Sequence, residues 1–254
     1  MQQHFPGVIR KEAVCLSYAL ILSFLFAVGG LSGWVLEVFY RRFVSQKHWV
    51  NPGFLAGPCL PLYGFSLCIL YLLAQTEQRL PSESPVLHKL LLFLLMAAAI
   101  TALEFAVGSI MLHTVRIRLW DYTERFGNIR GIICPQYSFY WMLLSAVYYF
   151  FIHPHILDAL EWLSQNLAFS FGIGFFYGVL AVDTAYSTQI VRKIRKFAAE
   201  QQITVRLEAL REELNYNLQQ RRPRFLLSLK TERPLTELLA EYAKKLRTPP
   251  RRRR

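Results

Sequence analysis

Residues 90–112 read LLLFLLMAAAITALEFAVGSIML, and Glu104 is the only charged residue in this run. An α-helix needs about 20 predominantly apolar residues to cross the hydrocarbon core of a bilayer, which is ~30 Å thick. The run is therefore long enough and apolar enough to predict a transmembrane helix. Similar apolar stretches lie on both sides of it along the chain.

Five apolar stretches in all predict an all-α polytopic membrane protein with about five transmembrane helices. The whole chain is 54% hydrophobic and 18% charged, whereas soluble domains are about 45–50% apolar and about 25% charged. The second stretch begins with Gly57, Pro58 and Pro61, so its first part is predicted to be non-helical or re-entrant. The predicted spans are residues 14–40, 54–73, 89–112, 132–151 and 167–187.

Lysine and arginine accumulate in alternate loops of the predicted bundle. The first and third loops are basic, whereas the second and fourth carry at least as many acidic as basic residues. Cytoplasmic loops hold the excess of lysine and arginine, so these two loops and the tail are predicted to be cytoplasmic, and five spans then place the N-terminus outside. The basic residues are Arg41, Arg42 and Lys47 in the first loop and Arg116, Arg118, Arg125 and Arg130 in the third.

The C-terminal part of the chain differs from the rest in charge. Residues 189–254 carry 18 Lys and Arg against 7 Asp and Glu, which is +11 of the chain's net charge of +12. We therefore divide the chain into a transmembrane domain, 1–188, and a basic cytoplasmic tail, 189–254. Apolar residues at helical spacing predict that an amphipathic helix extends the fifth span as far as Pro223. Anionic lipid is the expected contact of this tail, and nucleic acid is not expected.

Two segments of the chain share one pattern, which predicts a duplicated helical hairpin. Each reads glutamate, basic loop, asparagine, glycine, then Pro-x-Tyr and a small residue before an apolar helix. The alternative is that Asn, Gly and Pro simply recur in tight turns. The residues are Glu37, Asn51, Gly53, Pro61, Tyr63 and Gly64 in the first unit, and Glu104, Asn128, Gly131, Pro135, Tyr137 and Ser138 in the second.

Three runs of these segments carry a resemblance to a known family. They are Trp34-x-x-Glu37-x-x-Tyr40-Arg41, residues 51–64 (NPGFLAGPCLPLYG), and Trp120-Asp121-Tyr122 with residues 126–131 (FGNIRG). On these runs the chain resembles the ABC-transporter type IV family, the CmpB-like group of bacterial integral membrane proteins. The resemblance covers residues 32–141 and implies a permease subunit in the bacterial inner membrane, driven by a separate ATP-binding subunit.

Acidic residues within the predicted spans are the first candidates for a functional site. An ionisable group inside a span is costly and usually faces a cavity or a partner, so Glu37, Glu104 and Asp183 predict a site for a cation, a proton or a polar head group. Tyr63 and Tyr137 are candidate hydrogen-bond donors to a substrate. The alternatives are ion pairs of the two glutamates with Arg41 or Arg42 and with Arg116 or Arg118, and tyrosines that belong to the membrane-interface belt.

Further residues are assigned to the loops. Trp120, Asp121 and Tyr122 in the third loop are predicted to dock a soluble partner, and the alternative is an amphipathic segment at the interface. Gly supplies left-handed backbone angles and Pro fixes φ, so a second group is predicted to shape the turns. It comprises Asn51, Gly53, Gly57, Pro58, Pro61, Gly64, Asn128, Gly131 and Pro135.

The chain lacks several motifs of enzymes. It has no G-x-x-x-x-G-K-[ST], no H-E-x-x-H and no G-x-S-x-G, so we expect no ATP hydrolysis by a P-loop, no catalytic residue, no metal and no cofactor. Three functions stay open: a permease-like subunit for a small or amphiphilic solute, a membrane organiser whose tail recruits partners, and an intramembrane enzyme acting on lipid. Five spans are few for a transporter alone, so a homo-oligomer is a further expectation.

Overall fold

The computed structural model describes residues 6–45, 47, 49–77, 84–201, 203–207 and 209–210. In these residues the structure contains six α-helices, short π-helical and 3-10 turns, and one sheet of two parallel strands, so the predicted mainly helical class is confirmed. The helices are α1 Pro6–Tyr40, α2 Pro61–Gln75, α3 Pro85–Ile110, α4 Pro135–Val147, α5 His153–Gln165 and α6 Ser170–Glu200; the strands are β1 Ile117–Arg118 and β2 Val205–Arg206.

Three helices are extended by a wider, π-helical turn. These turns are Arg41–Ser45 after α1, Met111–Val115 after α3 and Tyr148–Ile152 between α4 and α5. The last one joins α4 to α5, so residues 135–165 form one long helical stretch of 31 residues.

Prolines set the beginnings of α2, α3 and α4. Pro61, Pro85 and Pro135 each stand in the first turn of their helix, where the missing N–H is not needed and the fixed φ suits the helix. The segment before Pro61 is non-helical, as its glycines and prolines predicted. The spans predicted to begin at 89 and 132 differ by three or four residues from the helix beginnings at Pro85 and Pro135, because apolar residues alone do not mark a helix end.

Among the described residues, three helical stretches are long and apolar enough to cross a membrane: Tyr18–Ser45, Pro85–Val115 and Pro135–Gln165. The apolar helix α2 has 15 residues, which at 1.5 Å per residue spans only about 22 Å. Helix α6 is not among the three, since Asp183 and several small or polar residues dilute its apolar character. The count of five spans therefore stays a prediction.

The predicted fourth loop, residues 153–166, is wrong, because most of it is helical. Helix α5 occupies His153–Gln165 and buries Ile156, Leu160 and Leu163. These residues recur at four- and three-residue spacing, which is the signature of one apolar helix face. An amphipathic helix has no uninterrupted apolar run, so the length of apolar runs does not reveal it.

The main apolar core lies between α1, α2, α3 and the α4–α5 stretch. Leu25, Leu92, Met96 and Ile100 are almost completely buried in it. Consecutive helices pack as two hairpins, α1 with α2 and α3 with α4. The predicted helical hairpins are therefore present.

The predicted unbroken helix from the fifth span to Pro223 is wrong at residues 201–206. Helix α6 ends at Glu200, the chain turns, and β2 pairs in parallel with β1 of the third loop. Because of this pairing, the third loop and the beginning of the tail lie on the same side of the bundle. The rest of the predicted tail helices lies outside the described residues.

A second apolar cluster holds the returning chain in place. It buries residues of the third loop, of α6 and of the segment after β2, so three separate parts of the chain meet there. Its buried members are Ile117, Ile194, Ala198, Val205, Leu207 and Leu210.

Candidate functional site

Glu37 lies near the C-terminal end of α1, and both of its carboxylate oxygens have partners. Arg41, one turn further along, pairs through Nε with Oε1 at 3.0 Å. The hydroxyl of Tyr63, the third residue of α2, donates to Oε2 at 3.0 Å. The alternative that we considered for Glu37, an ion pair with Arg41, is thus what the structure shows.

Glu104 has a different environment. It lies in α3, is 3% exposed, and accepts hydrogen bonds from the Tyr122 hydroxyl at 3.2 Å and from Trp141 Nε1 at 3.1 Å. Among the described residues no lysine or arginine pairs with it. Arg118, one of its expected partners, binds Asp121 instead. The buried carboxyl group is therefore held by neutral donors.

Aromatic side chains connect the two glutamates. The Tyr63 and Trp141 rings lie 5.5 Å apart, and the Tyr122 and Tyr137 rings stack at 4.3 Å. The hydroxyl oxygen of Tyr137 lies 3.4 Å from that of Tyr40. The residues of this contiguous group, which we call the glutamate cluster, are Glu37, Tyr40, Tyr63, Glu104, Tyr122, Tyr137 and Trp141.

The donors to the two glutamates stand at different positions along their helices. The donor to Glu37, Tyr63, follows the first proline of α2 by two residues, whereas Trp141 follows the first proline of α4 by six. Four residues of helix correspond to about 6 Å. The shared sequence pattern therefore marks both helix beginnings, while the donor to the glutamate comes from a different position in each hairpin.

Asp183 of α6 contacts a different part of the chain. Its Oδ1 accepts from the backbone N–H of Ala56 and its Oδ2 from that of Gly57, each at 3.1 Å. Ser187, one turn further along, donates to Oδ1 at 3.3 Å. Asp183 was a candidate member of the polar site, with the membrane interface as the alternative. The structure places it on the non-helical segment before α2 and outside the glutamate cluster.

Asn51 organises the same non-helical segment. It is 1% exposed, accepts from Trp34 Nε1 at 2.6 Å and donates to the carbonyl of Ala56 at 2.9 Å. The Cβ of any other residue at Gly64 would lie 2.8 Å from the Phe26 carbonyl oxygen. The contacts of Asn51 fit the predicted loop-shaping role, whereas Gly64 lies inside α2 and allows close packing against α1.

The third loop is shaped by similar residue types in another arrangement. Asn128 donates to the Arg125 carbonyl at 2.8 Å and accepts from the Gly131 N–H at 3.0 Å. Gly131 and, in the first loop, Gly53 have positive φ angles of 67° and 77°, which glycine adopts without strain. Of the remaining predicted residues, Pro58 is exposed beside Gly57.

The three residues predicted to dock a partner face into the protein. Trp120 donates through Nε1 to the Ile132 carbonyl at 2.8 Å, and Tyr122 reaches Glu104. Asp121 pairs with Arg118 through Oδ1 and with Arg206 through Oδ2, both at 2.8 Å. An open cavity of about 470 Å³ adjoins them, lined by Arg118, Trp120, Asp121, Thr123, Glu124, Arg125, Arg206 and Ala209.

The surroundings of Asp121 and Tyr122 determine the protonation states of these two groups. Burial alone raises the pKa of Asp121, but hydrogen bonds from Thr123 and the guanidinium of Arg118 outweigh it and lower the pKa below its usual value. Burial, and then the carboxylate of Glu104, raise the pKa of the Tyr122 hydroxyl. Asp121 is therefore ionised and Tyr122 is a hydrogen-bond donor at neutral pH.

The sequence did not predict Trp34, Tyr40, Trp141 and Arg206 as site residues. The two tryptophans carried a usable signal, because each lies in a predicted apolar span, where an indole N–H needs an acceptor. The acceptor of Trp34 is 17 positions further along the chain. Arg206 carried no comparable signal, because its partner is 85 positions earlier and only the fold brings the two together.

A family model described as "Putative ABC-transporter type IV" matches residues 24–188, which is more than half of the chain. The chain belongs to this family. The match confirms the resemblance, and it contains the whole glutamate cluster and Asp183 but not the segment after α6, residues 203–207, which contacts the third loop and which we call the docked segment. Searches of curated proteins and of solved structures give no significant match.

Proposed function

We propose that this chain is the membrane-spanning, permease-like subunit of a transport complex that moves a small or amphiphilic solute, with ATP hydrolysis in a separate chain and no catalysis of its own. The observation that carries the proposal is the buried carboxyl group of Glu104, held by neutral donors inside a candidate membrane span. The family and the apolar helices support a membrane transport component.

The environment of Glu104 suits a polar site better than a structural one. Burying a carboxyl group in an apolar span costs several kcal/mol, on the order of 3 at the centre of a helix. Glu37 offsets this cost with Arg41, whereas the described contacts of Glu104 include no cation. Glu104 is therefore the group of the cluster available to take up a proton or to contact a cationic part of a solute.

The donors of Glu104 also suggest how a partner would act on it. Trp141 comes from a membrane helix, whereas Tyr122 comes from the third loop. A partner that displaces this loop would withdraw one of the two hydrogen bonds and leave the other. We propose that an ATP-binding subunit communicates with the polar site in this way.

The orientation belongs to the same proposal. The basic third loop pairs with the basic tail, so both lie on one side, and the lysine and arginine distribution assigns that side to the cytoplasm. The N-terminus would then be outside. The tail is also expected to contact anionic lipid at this face.

The test is transport by the complex purified from its native membrane and reconstituted in liposomes. Uptake of solutes from a native metabolite extract is measured by mass spectrometry, with Glu161→Gln on the exposed face of α5 as the matched control. We expect Glu104→Gln to reduce uptake by about tenfold or more, equivalent to ~1.4 kcal/mol. Unchanged uptake in that variant, or a complex without any ATP-binding chain, would overturn the proposal.

The cavity beside the third loop favours a second candidate, a membrane organiser that recruits a cytoplasmic partner. Three arginines and two carboxylates line this cavity, and arginine binds carboxylate or phosphate groups through paired hydrogen bonds. In this case Arg125→Ala would release the companion protein during purification, while Glu104→Gln would retain it. The permease proposal instead predicts that both variants retain the ATP-binding chain during purification.

A further inference from the structure

The segment after α6 contacts the third loop through the parallel pairing of β2 with β1, a further backbone hydrogen bond and an ion pair, beside its apolar contacts. The further bond runs from the N–H of Val205 to the Arg116 carbonyl at 3.1 Å, and Arg206 pairs with Asp121 Oδ2 at 2.8 Å. The side chain of Arg206 is 58% exposed. This side chain is therefore held at the loop by the contact of its guanidinium and not by burial.

The residue after Asp121 is the loop donor to Glu104. Tyr122 donates its hydroxyl to Glu104, and its backbone N–H donates to the Gly131 carbonyl at 2.9 Å. On the other side of it, the Thr123 N–H donates to Asp121 Oδ1 at 3.1 Å. Residues 121–123 thus form a short, hydrogen-bonded turn with the tail at one end and Glu104 at the other.

We propose that Arg206 is a positioning residue for Glu104: it holds Asp121 so that the Tyr122 hydroxyl stays on the Glu104 carboxyl group. This inference rests on the proposed function of the glutamate cluster and adds its regulation. While residues 203–207 are docked on the third loop, both hydrogen bonds to the Glu104 carboxyl group stay in place. Release of the segment withdraws the donor that belongs to the loop.

The two carboxylate oxygens of Asp121 have different partners, and this explains the role of Arg206. Arg118 and the Thr123 N–H both bind Oδ1, whereas Oδ2 is paired with Arg206. Loss of Arg206 leaves Oδ2 without this cation and lets the carboxylate turn towards Arg118. The neighbouring apolar residues hold the segment against the bundle, and Arg206 fixes the turn that carries Tyr122.

The position of Arg206 in the chain adds to the argument. The family match ends at residue 188, and the docked segment lies beyond it. The polar site within the matched region is therefore contacted, through one turn, by a part of the chain that the family model does not include. A partner that binds the tail would have access to the site without touching a membrane helix.

The test uses the full chain in liposomes and dicyclohexylcarbodiimide, an apolar reagent that modifies carboxyl groups within membranes. The initial rate of modification at Glu104 is measured by mass spectrometry of the peptide that contains it. We expect Tyr122→Phe and Arg206→Ala each to raise this rate by about fivefold, the factor that corresponds to one lost hydrogen bond. Arg206→Lys should restore most of the protection.

Controls separate positioning from general loosening. Arg195→Ala removes an exposed arginine of α6 and should leave the rate unchanged, and the melting temperature of each variant in detergent is measured in parallel. An unchanged rate in Arg206→Ala, or a raised rate that Arg206→Lys does not restore, would overturn the inference. Modification of Glu104 does not require transport, so the two assays fail independently. Normal uptake with an unchanged modification rate would overturn only this inference, and uptake that Glu104→Gln leaves unchanged would overturn only the proposed function.

Discussion

The two hairpins differ in how they hold their helices together, although one sequence pattern runs through both. In the first, Gly29 and Gly33 of α1 lie directly against α2, and Glu37 is paired with Arg41. In the second, Thr101 donates to Ser138 at 3.1 Å, and Glu104 has neutral donors. A repeated motif can thus determine where helices begin, while the side-chain contacts between the helices differ from one hairpin to the other.

Close packing makes the first hairpin the more sensitive one to added volume. A Cβ at Gly33 would overlap the Cβ and ring of Tyr63, so we expect Gly33→Ala to lower stability by about 3 kcal/mol, the cost of overpacking. Gly174→Ala in α6 is the control, since nothing lies within 4 Å of that position. Thermal unfolding in detergent measures both, and equal melting temperatures would contradict this account of the hairpin.

Removal of one donor from each glutamate compares the two carboxyl groups directly. Tyr63→Phe should destabilise the protein by about 2 kcal/mol, because a hydrogen bond to an ionised acceptor is lost, while solute uptake changes little. Tyr122→Phe should alter uptake more than stability, since Glu104 is the proposed polar site. Melting curves and uptake measured on the same preparations would decide, and the reverse order of effects would transfer the proposed site to Glu37.

The hydrogen bond between Thr101 and Ser138 predicts a smaller effect. Thr101→Val keeps the shape of the side chain and removes the donor, so the expected loss of stability is about 1 kcal/mol. Ser138 retains its hydrogen bond to the Cys134 carbonyl. A loss as large as that of Gly33→Ala would mean that the second hairpin is packed as tightly as the first.

The smallest effect is expected from pH on the docked tail. The pKa of Asp121 is lowered, so the stability contributed by its ion pairs is complete above the usual aspartate pKa of about 3.9 and is lost only as pH falls below it. Hydrogen-exchange protection of the Val205 amide should therefore stay constant from about pH 5 to pH 8. Asp121→Asn should lower that protection at every pH, and a decrease in the native protein within this range would identify another titrating group.

The sequence predicted those parts of the fold that depend on local composition. The apolar runs predicted α1, α3 and α4, and the Pro-x-Tyr pattern marked the region where two helices begin. Helix α5 was missed because its apolar residues alternate with polar ones, and the break after Glu200 was missed because the apolar spacing continues across it. In the second case a strand pairing with residues almost 90 positions earlier outweighed the local helical pattern.

The candidate site was predictable as a set of residue types but not as a set of pairs. Glu37 and Arg41 are four residues apart, so their ion pair followed from helix geometry. The expected partners of Glu104, Arg116 and Arg118, are 12 and 14 positions further along the chain. The turn at residues 121–123 draws Arg118 to Asp121 and brings Tyr122 to the glutamate. Only the backbone of the third loop decides between these partners.

The contact of Asp183 with residues 56 and 57 has a consequence for how the chain is made. The acceptor of the Ala56 amide lies 127 positions further along, which at about 5–20 residues per second is roughly 6–25 seconds of synthesis. During that interval α1 and α2 are already translated while the segment between them still lacks this acceptor. Formation of α6 is therefore the step at which the first hairpin acquires its finished shape, so a chain truncated before Asp183 would expose an incomplete segment to proteolysis.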